Sequence, residues 1–437
     1  MLQRDAYSLL QNWKSMKTHQ GLLVSGARQV GKTTLIREFA KANYHNVAEI
    51  NFLENRRAVE LVSQATDTQD LLLRLSALAG AEFKAHDTLV FFDEIQECED
   101  VLTWLKFLVE ATDYDYVLSG SLLGIDLYNV RSFPVGFVQE IQMYPLTFRE
   151  FCRASGVADI VLKTVQNSFK NRTPTPDYMH SQLIDLFYKY LIIGGMPDAV
   201  NVYVGSMSTV RVRNVQRAIF NAYEADITKY VKGSVDRRHI KTIYESIPNQ
   251  LNAQNKRFKY TKINRSARFS HMVTAFDWLE NAGIALPVLR VQDPVYPLGG
   301  SADMSSFKLF MSDTGLLTSR LMGDVDIDIL DRRSTMNYGS IFENVVAQEL
   351  KAAGFDLFYY NKSGIGEIDF MVQNRMGDIT LIEVKSGKDY KRHNAMNNLL
   401  ATKNYRFKDA IVFHDGNVEV EKGRTYLPIY MVGMLGE

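Results

Sequence analysis

The stretch GLLVSGARQVGKTT, residues 21–34, restricts the fold of this chain more than any other. A short apolar run enters a glycine-rich turn, and the turn opens a helical pattern with Leu35, Ile36 and Phe39 on one face. Strand, tight loop and helix is the order that satisfies this pattern, and G-x-x-x-x-G-K-[ST] makes the loop a cradle for phosphate. The loop residues Gly26, Ala27, Arg28, Gln29, Val30, Gly31, Lys32, Thr33 and Thr34 are expected to direct backbone N–H groups and the positive end of the helix at the phosphates of ATP. Lys32 is placed to reach the β- and γ-phosphates, and Thr33 to ligate Mg²⁺.

Apolar runs recur at 46–53, 87–94, 113–121 and 137–144 between helical patterns. That alternation predicts a mostly parallel α/β sheet covered by helices, a P-loop NTPase domain over residues 1–150. The run LVFFDE is a buried strand that releases Asp93 and Glu94 at its carboxyl end, where open α/β sheets bind their ligands. Asp93 is expected to hold Mg²⁺, and Glu94 to orient or deprotonate the attacking water. Ser119 ends the next run and is either a contact for the γ-phosphate or the water, or a simple turn serine.

A chain of 437 residues exceeds what one hydrophobic core usually organises, so two or three domains are expected. Lys plus Arg and Asp plus Glu are both 50, so a DNA-binding patch has to be local. Cys98 and Cys152 give neither a disulfide framework nor metal-ligand spacing and suit a reducing compartment. The charged first residues and the lack of a spanning-length apolar window point to a cytoplasmic protein without a membrane partner.

Residues 151–330 turn mostly helical. Within them, KRFKYTKINRSAR (256–268) carries six Lys or Arg, two aromatics and no acid. It leads into Met272, Val273, Phe276, Leu279 and Ala282 at helical spacing, a stop at Gly283 and a strand-like run. Helix, helix and strands is the order of a winged helix, so the segment is either a DNA contact or a solvated basic face.

In the last part, 331–437, the stretch GEIDFMVQNRMGDITLIEVKSG reads as a hairpin. With Gln373 opposite Ile379, counting back places Asp369 opposite Glu383, and facing carboxylates repel unless a cation lies between them. A divalent metal on Asp369, Glu383 and Glu343 of the upstream helix GSIFENVVAQELKAAGF, with Lys385 beside it, has the composition of a phosphodiester-cleaving centre. The alternative is a sheet whose acids are balanced by Lys385 and Lys388 without metal.

The order GARQVGKTT, LVFFDE, LSGS, YPLTFREF, GGMPDAV, the basic segment, SDTGLL, ENVVAQEL, GEIDF and IEVKSG resembles a bacterial and archaeal family of AAA-type ATPases. The C-terminal part of that family is similar to the restriction-endonuclease-like fold of the PD-(D/E)XK group. The resemblance implies an AAA-type ATPase domain, a helical and winged-helix middle domain and a restriction-endonuclease-like α/β C-terminal domain, in a homo-oligomer that acts on DNA. That part either cuts DNA with a metal or binds DNA or a partner without cutting. Many relatives carry Gly-Arg or Gly-Lys before the YPL segment, whereas this chain has Gly136-Phe137, which leaves Arg131 as a substitute arginine finger.

Overall fold

All five apolar runs of the first 150 residues form strands, and the reason is visible in their burial. β1 (Gly21–Gly26) and β3 (Thr88–Asp93) are buried along their whole length, as interior parallel strands covered on both faces must be. β2 (Asn46–Asn51) and β5 (Val138–Met143) are the two edges, and β4 (Asp115–Ser119) completes a parallel sheet of order β2-β3-β4-β1-β5. Helices α1 (Ala6–Met16), α2 (Lys32–Asn43), α3 (Arg56–Ser63), α4 (Thr68–Ala79) and α5 (Asp100–Ala111) alternate with these strands. The structure, a computed structural model, describes residues 2–80, 82–121, 136–231, 233–253, 255–260, 272–321, 329–330, 332, 338–387 and 389–436. It divides into two compact units, Gln3–Tyr144 with Asn281–Gly283, and Pro145–Glu280 with Ile284–Glu437.

In the first unit, Leu23, Ile50, Val90, Phe92 and Leu118 of the sheet pack against Val62, Leu71, Leu105 and Leu108 of the helices. Phe92 stacks between Phe52 and Tyr116, with ring centroids 6.0 and 6.3 Å away. Burying one such aromatic contributes about 2–3 kcal/mol. β4 lies between β1 and β3, so the ends of all three strands and of β2 open on one edge of the sheet.

The second unit begins with helices α6 (Phe148–Ala154), α7 (Asp159–Asn171), α8 (Asp177–Ile193), α9 (Pro197–Ser206), α10 (Thr209–Tyr230), α11 (Ser234–Leu251) and α12 (Val273–Asn281). The hairpin β6 (Ala285–Val291) and β7 (Ala302–Met311) follows, then α13 (Thr314–Leu321), α14 (Gly339–Ala352), β8 (Phe358–Lys362), β9 (Gly366–Gln373), β10 (Ile379–Val384), α15 (Asn394–Leu400), β11 (Asp409–His414), β12 (Glu419–Glu421) and β13 (Arg424–Pro428). These strands make one sheet of eight, in the order β12-β13-β11-β10-β9-β8-β6-β7. The division expected near residue 330 therefore does not interrupt the sheet, because β6 pairs in parallel with β8 through Leu289 and Phe358. The hairpin read as a wing is the end of this larger sheet.

Helix α14 is enclosed by the rest of the unit. Ser340 to Leu350 are buried all round, so its polar side chains need partners inside. Asn344 bridges the N–H and C=O of Met311, Gln348 accepts from the Thr314 N–H and donates to the Tyr190 hydroxyl, and Glu349 accepts from the Phe148 N–H.

Three motifs carry a second structural constraint. The Asp313 carboxylate of SDTGLL accepts from the Gly195 N–H at 2.6 Å and the Leu316 N–H at 2.9 Å. The Gly195 carbonyl of GGMPDAV accepts from the Leu146 N–H of YPLTFREF, and a Cβ on Gly195 would stand 2.1 Å from the Leu146 carbonyl oxygen. Gly194, at φ +73°, is equally confined, because its Cβ would lie 2.3 Å from Asp313 Oδ1. The chain can pass this close only without side chains.

Asp313→Ala leaves those N–H groups buried without an acceptor and should cost about 2–5 kcal/mol of unfolding free energy in a denaturant titration. Burial pushes the Asp313 carboxyl up to about 6, against the pull of the backbone N–H donors. A folded value above the unfolded one favours the neutral acid, so stability from this residue is complete below about pH 4 and declines as pH rises through about 6. Raising the pH across that window should therefore shift the melting-temperature difference between wild type and Asp313→Asn in favour of the variant, and a constant difference would contradict it.

Candidate functional site

The phosphate cradle is built from one strand end. Gly26 closes β1 at φ +136°, where a Cβ would lie 2.2 Å from the Met143 carbonyl oxygen on β5. Gln29 (φ 65°) and Gly31 (φ 95°) take left-handed conformations that turn the loop into the start of α2 at Lys32. Lys32 is buried and its Nζ donates to the carbonyls of Gly26 at 3.0 Å and Ala27 at 2.9 Å. Burial lowers its pKa to about 8, opposed first by the charge of Glu94 and then by that of Asp93. Glu94 therefore lies within electrostatic reach of the lysine.

Asp93 is the hub of the site. Its carboxylate accepts from Thr33 Oγ1 at 3.1 and 3.2 Å, from Asn51 Nδ2 at 3.0 Å and from Ser119 Oγ. Burial raises its pKa, and the hydrogen bonds from Ser119 and Thr33 pull it back. The Ser119 hydroxyl is thus engaged with Asp93. Asn51, on which the sequence places no role, ends β2 and pairs in register with Asp93 on β3. Glu94 sits at φ 57°, an uncommon conformation for a residue with a side chain and one found disproportionately at functional sites. The hydroxyl of Thr33 and the carboxylate of Asp93 supply hard oxygen ligands close together, so they fit Mg²⁺.

The C-terminal acids have a different setting. The pairing Ile379–Gln373 to Ile382–Phe370 is the register expected from the sequence, and one further step puts Glu383 opposite Asp369. Asp369 accepts from the Val384 N–H at 2.9 Å. The cations among the acids are lysines. Lys308 of β7, fully buried, lies 2.7 Å from Glu367 and 3.4 Å from Glu343, Lys256 also pairs with Glu343, and Lys385 lies 2.8 Å from Glu383.

Burial opposes the charge of Lys308, but Glu343, Glu367 and Asp369 hold its pKa well above the usual lysine range. Burial raises Glu343, but Lys308 and Lys256 bring it below the usual carboxylate range. Desolvation, then the charge of Glu343, pushes Asp369 up to about 7. Among the described residues no group of three or more His, Cys, Asp or Glu is arranged to hold a metal ion. Lysines stand beside Glu343 and Glu383 in this arrangement. Lys308, whose sequence context gave no hint of the hairpin joining this sheet, is the residue the sequence reading missed. Lys388 lies outside the described residues.

In the basic run, Lys256 turns inward to Glu343, while Phe258 and Tyr260 pack on Phe307 and Phe276. Lys262, Arg265 and Arg268 lie outside the described residues, as does Arg131. At the Gly136-Phe137 departure, the Phe137 ring lies 5.2 Å from Lys106 Nζ. Among the described residues no helix is long and apolar enough to cross a membrane.

Residues 18–152 match the family described as AAA domain, and with the strand order and loop geometry above they form an AAA-type P-loop domain. Residues 184–325 match a Domain of unknown function (DUF8612), and residues 338–432 another (DUF4143). An uncharacterized protein of Haemophilus influenzae is 23% identical over 394 residues, covering 88% of this chain and 87% of its own. Among solved structures, a Walker-type ATPase of Pyrococcus abyssi aligns at TM-score 0.44 and 13% identity, over 73% of this chain and 95% of its own. The Orc1 protein of Aeropyrum pernix in complex with DNA aligns at TM-score 0.30 and 12% identity, over 75% and 94%. Structural likeness this weak carries no information on what the present chain binds.

Lys32→Ala removes a charge-assisted phosphate contact and should weaken ATP binding by about tenfold to a hundredfold in a fluorescent-nucleotide titration. An unchanged dissociation constant would remove Lys32 from the phosphate site.

Proposed function

We propose that the AAA-type unit hydrolyses ATP to ADP and phosphate with Mg²⁺. The observation that carries this reading is the hub at Asp93, which brings Thr33, Ser119 and Asn51 onto one carboxylate with Glu94 and Lys32 alongside. In this reading Lys32 exchanges its bonds to the loop carbonyls for the β- and γ-phosphates. Thr33 and Asp93 hold the metal, which supplies neutralisation of the phosphate charge. Glu94 accepts a proton from the water that bonds to the γ-phosphorus as the bond to the bridging oxygen of ADP breaks.

Loss of the general base without loss of the cradle makes a clean test. Glu94→Gln should bind ATP as wild type does and turn it over about a hundredfold more slowly or worse, measured by phosphate release. Equal rates would sink the assignment. A homo-oligomer in which a neighbouring copy supplies an arginine belongs to the same reading. Such a residue is worth roughly 10³ to 10⁵ in rate, so specific activity should climb with protein concentration.

The second unit we read as a module that binds DNA or a protein partner under nucleotide control and does not cut. The observation favouring this over metal-dependent cleavage is Lys308, a buried internal cation among the carboxylates. Calorimetry with Mn²⁺ and nicking of plasmid DNA are expected to show neither stoichiometric metal binding nor cleavage. Metal binding and cutting that both vanish in Asp369→Ala would replace this reading with the nuclease.

A further inference from the structure

Two residues beyond Glu94 stands a glutamine that the proposed hydrolysis leaves unused. Gln96 is 7% exposed, and its Nε2 donates to Glu94 Oε2. Its other end, Oε1, is buried with no hydrogen-bond partner among the described residues. Space for the side chain comes from Gly120, just past Ser119 at the end of β4, where a Cβ would lie 2.8 Å from Ile95 Cγ1 and 3.0 Å from Gln96 Oε1.

Stability alone does not account for an amide here. A buried carboxamide satisfied at one end carries a desolvation penalty that an unbranched apolar side chain of the same length avoids. Such a departure from polar satisfaction is expected where function, and not folding, selects the residue. What the amide does make is a bond to the carboxylate of Glu94. The backbone of Glu94 is left-handed, and a single 3-10 turn, Ile95–Glu97, follows it, so no longer helix directs its side chain. A neutral N–H donor can fix a carboxylate without neutralising it, which a lysine or arginine in its place could not do.

We propose that Gln96 is the positioning residue for hydrolysis. Its amide N–H holds one oxygen of Glu94 and leaves the other toward Lys32 and the phosphate loop, where it meets the attacking water. This rests on the ATPase reading above and deepens it. Gln96 itself touches neither nucleotide nor water.

The test compares full-length Gln96→Met, which keeps length and drops the donor, with Gln96→Glu, which keeps shape and replaces the donor by an acceptor. Both are expected to lower kcat by about tenfold or more while KM and the ATP dissociation constant stay within about twofold. Gln96→Met should melt no lower than wild type, since an unsatisfied amide end is removed. Added to Glu94→Gln it should slow turnover no further, because both changes act through one carboxylate.

Wild-type kcat in both variants overturns the inference while leaving the ATPase reading intact. So does a loss that adds fully to that of Glu94→Gln, or one that arrives with a matching fall in melting temperature and nucleotide affinity. A wild-type protein without Glu94-dependent turnover overturns the ATPase reading and the inference with it.

Discussion

One carboxylate organises the first unit. Asp93 receives hydrogen bonds from the P-loop helix through Thr33, from the edge strand β2 through Asn51 and from the inserted strand β4 through Ser119. Each donor sits at the same edge of the sheet because β4 separates β1 from β3 in a parallel array. Had the strands been antiparallel, alternate strand ends would point to opposite edges and no such convergence could form. The buried aromatic stack of Phe52, Phe92 and Tyr116 beneath holds this geometry, so core packing and the phosphate site are one construction.

The second unit depends on two internal charges treated differently. Asp313 is met by backbone N–H groups, with glycines on both sides because nothing larger fits. Lys308 is met by carboxylates drawn from α14 and β9, which fastens the β6–β7 hairpin to the rest of the sheet. A buried ion pair of this kind gives little net stability over apolar packing, but losing one partner leaves a charge stranded.

Much of this was legible in advance. The five strands of the first unit, the loop-to-helix transition at Lys32 and the hairpin register from Ile379–Gln373 to Ile382–Phe370 all follow from apolar periodicity and residue-by-residue counting. The helical span and its stop at Gly283 followed likewise. Less legible were Asn51 and Lys308, because each acts on a residue far away in the chain, and their own neighbours carry no pattern that reports the pairing. The full burial of helix α14 was not legible either, because its polar residues cannot reveal that their partners are Met311, Thr314, Tyr190 and Phe148.

The sequence by itself determined where the chain turns, which runs are buried and which residues form the P-loop, since those are local consequences of glycine, side-chain branching and hydrophobic period. Tertiary structure alone decided which charge meets which. It turned Ser119 toward Asp93, joined the hairpin expected to be a wing to an eight-stranded sheet, and set the buried Lys308 beside Glu343 and Glu367. The physical reason is that a buried charge is stabilised by whatever opposite charge the fold brings within a few ångströms, and distance along the chain says nothing about that.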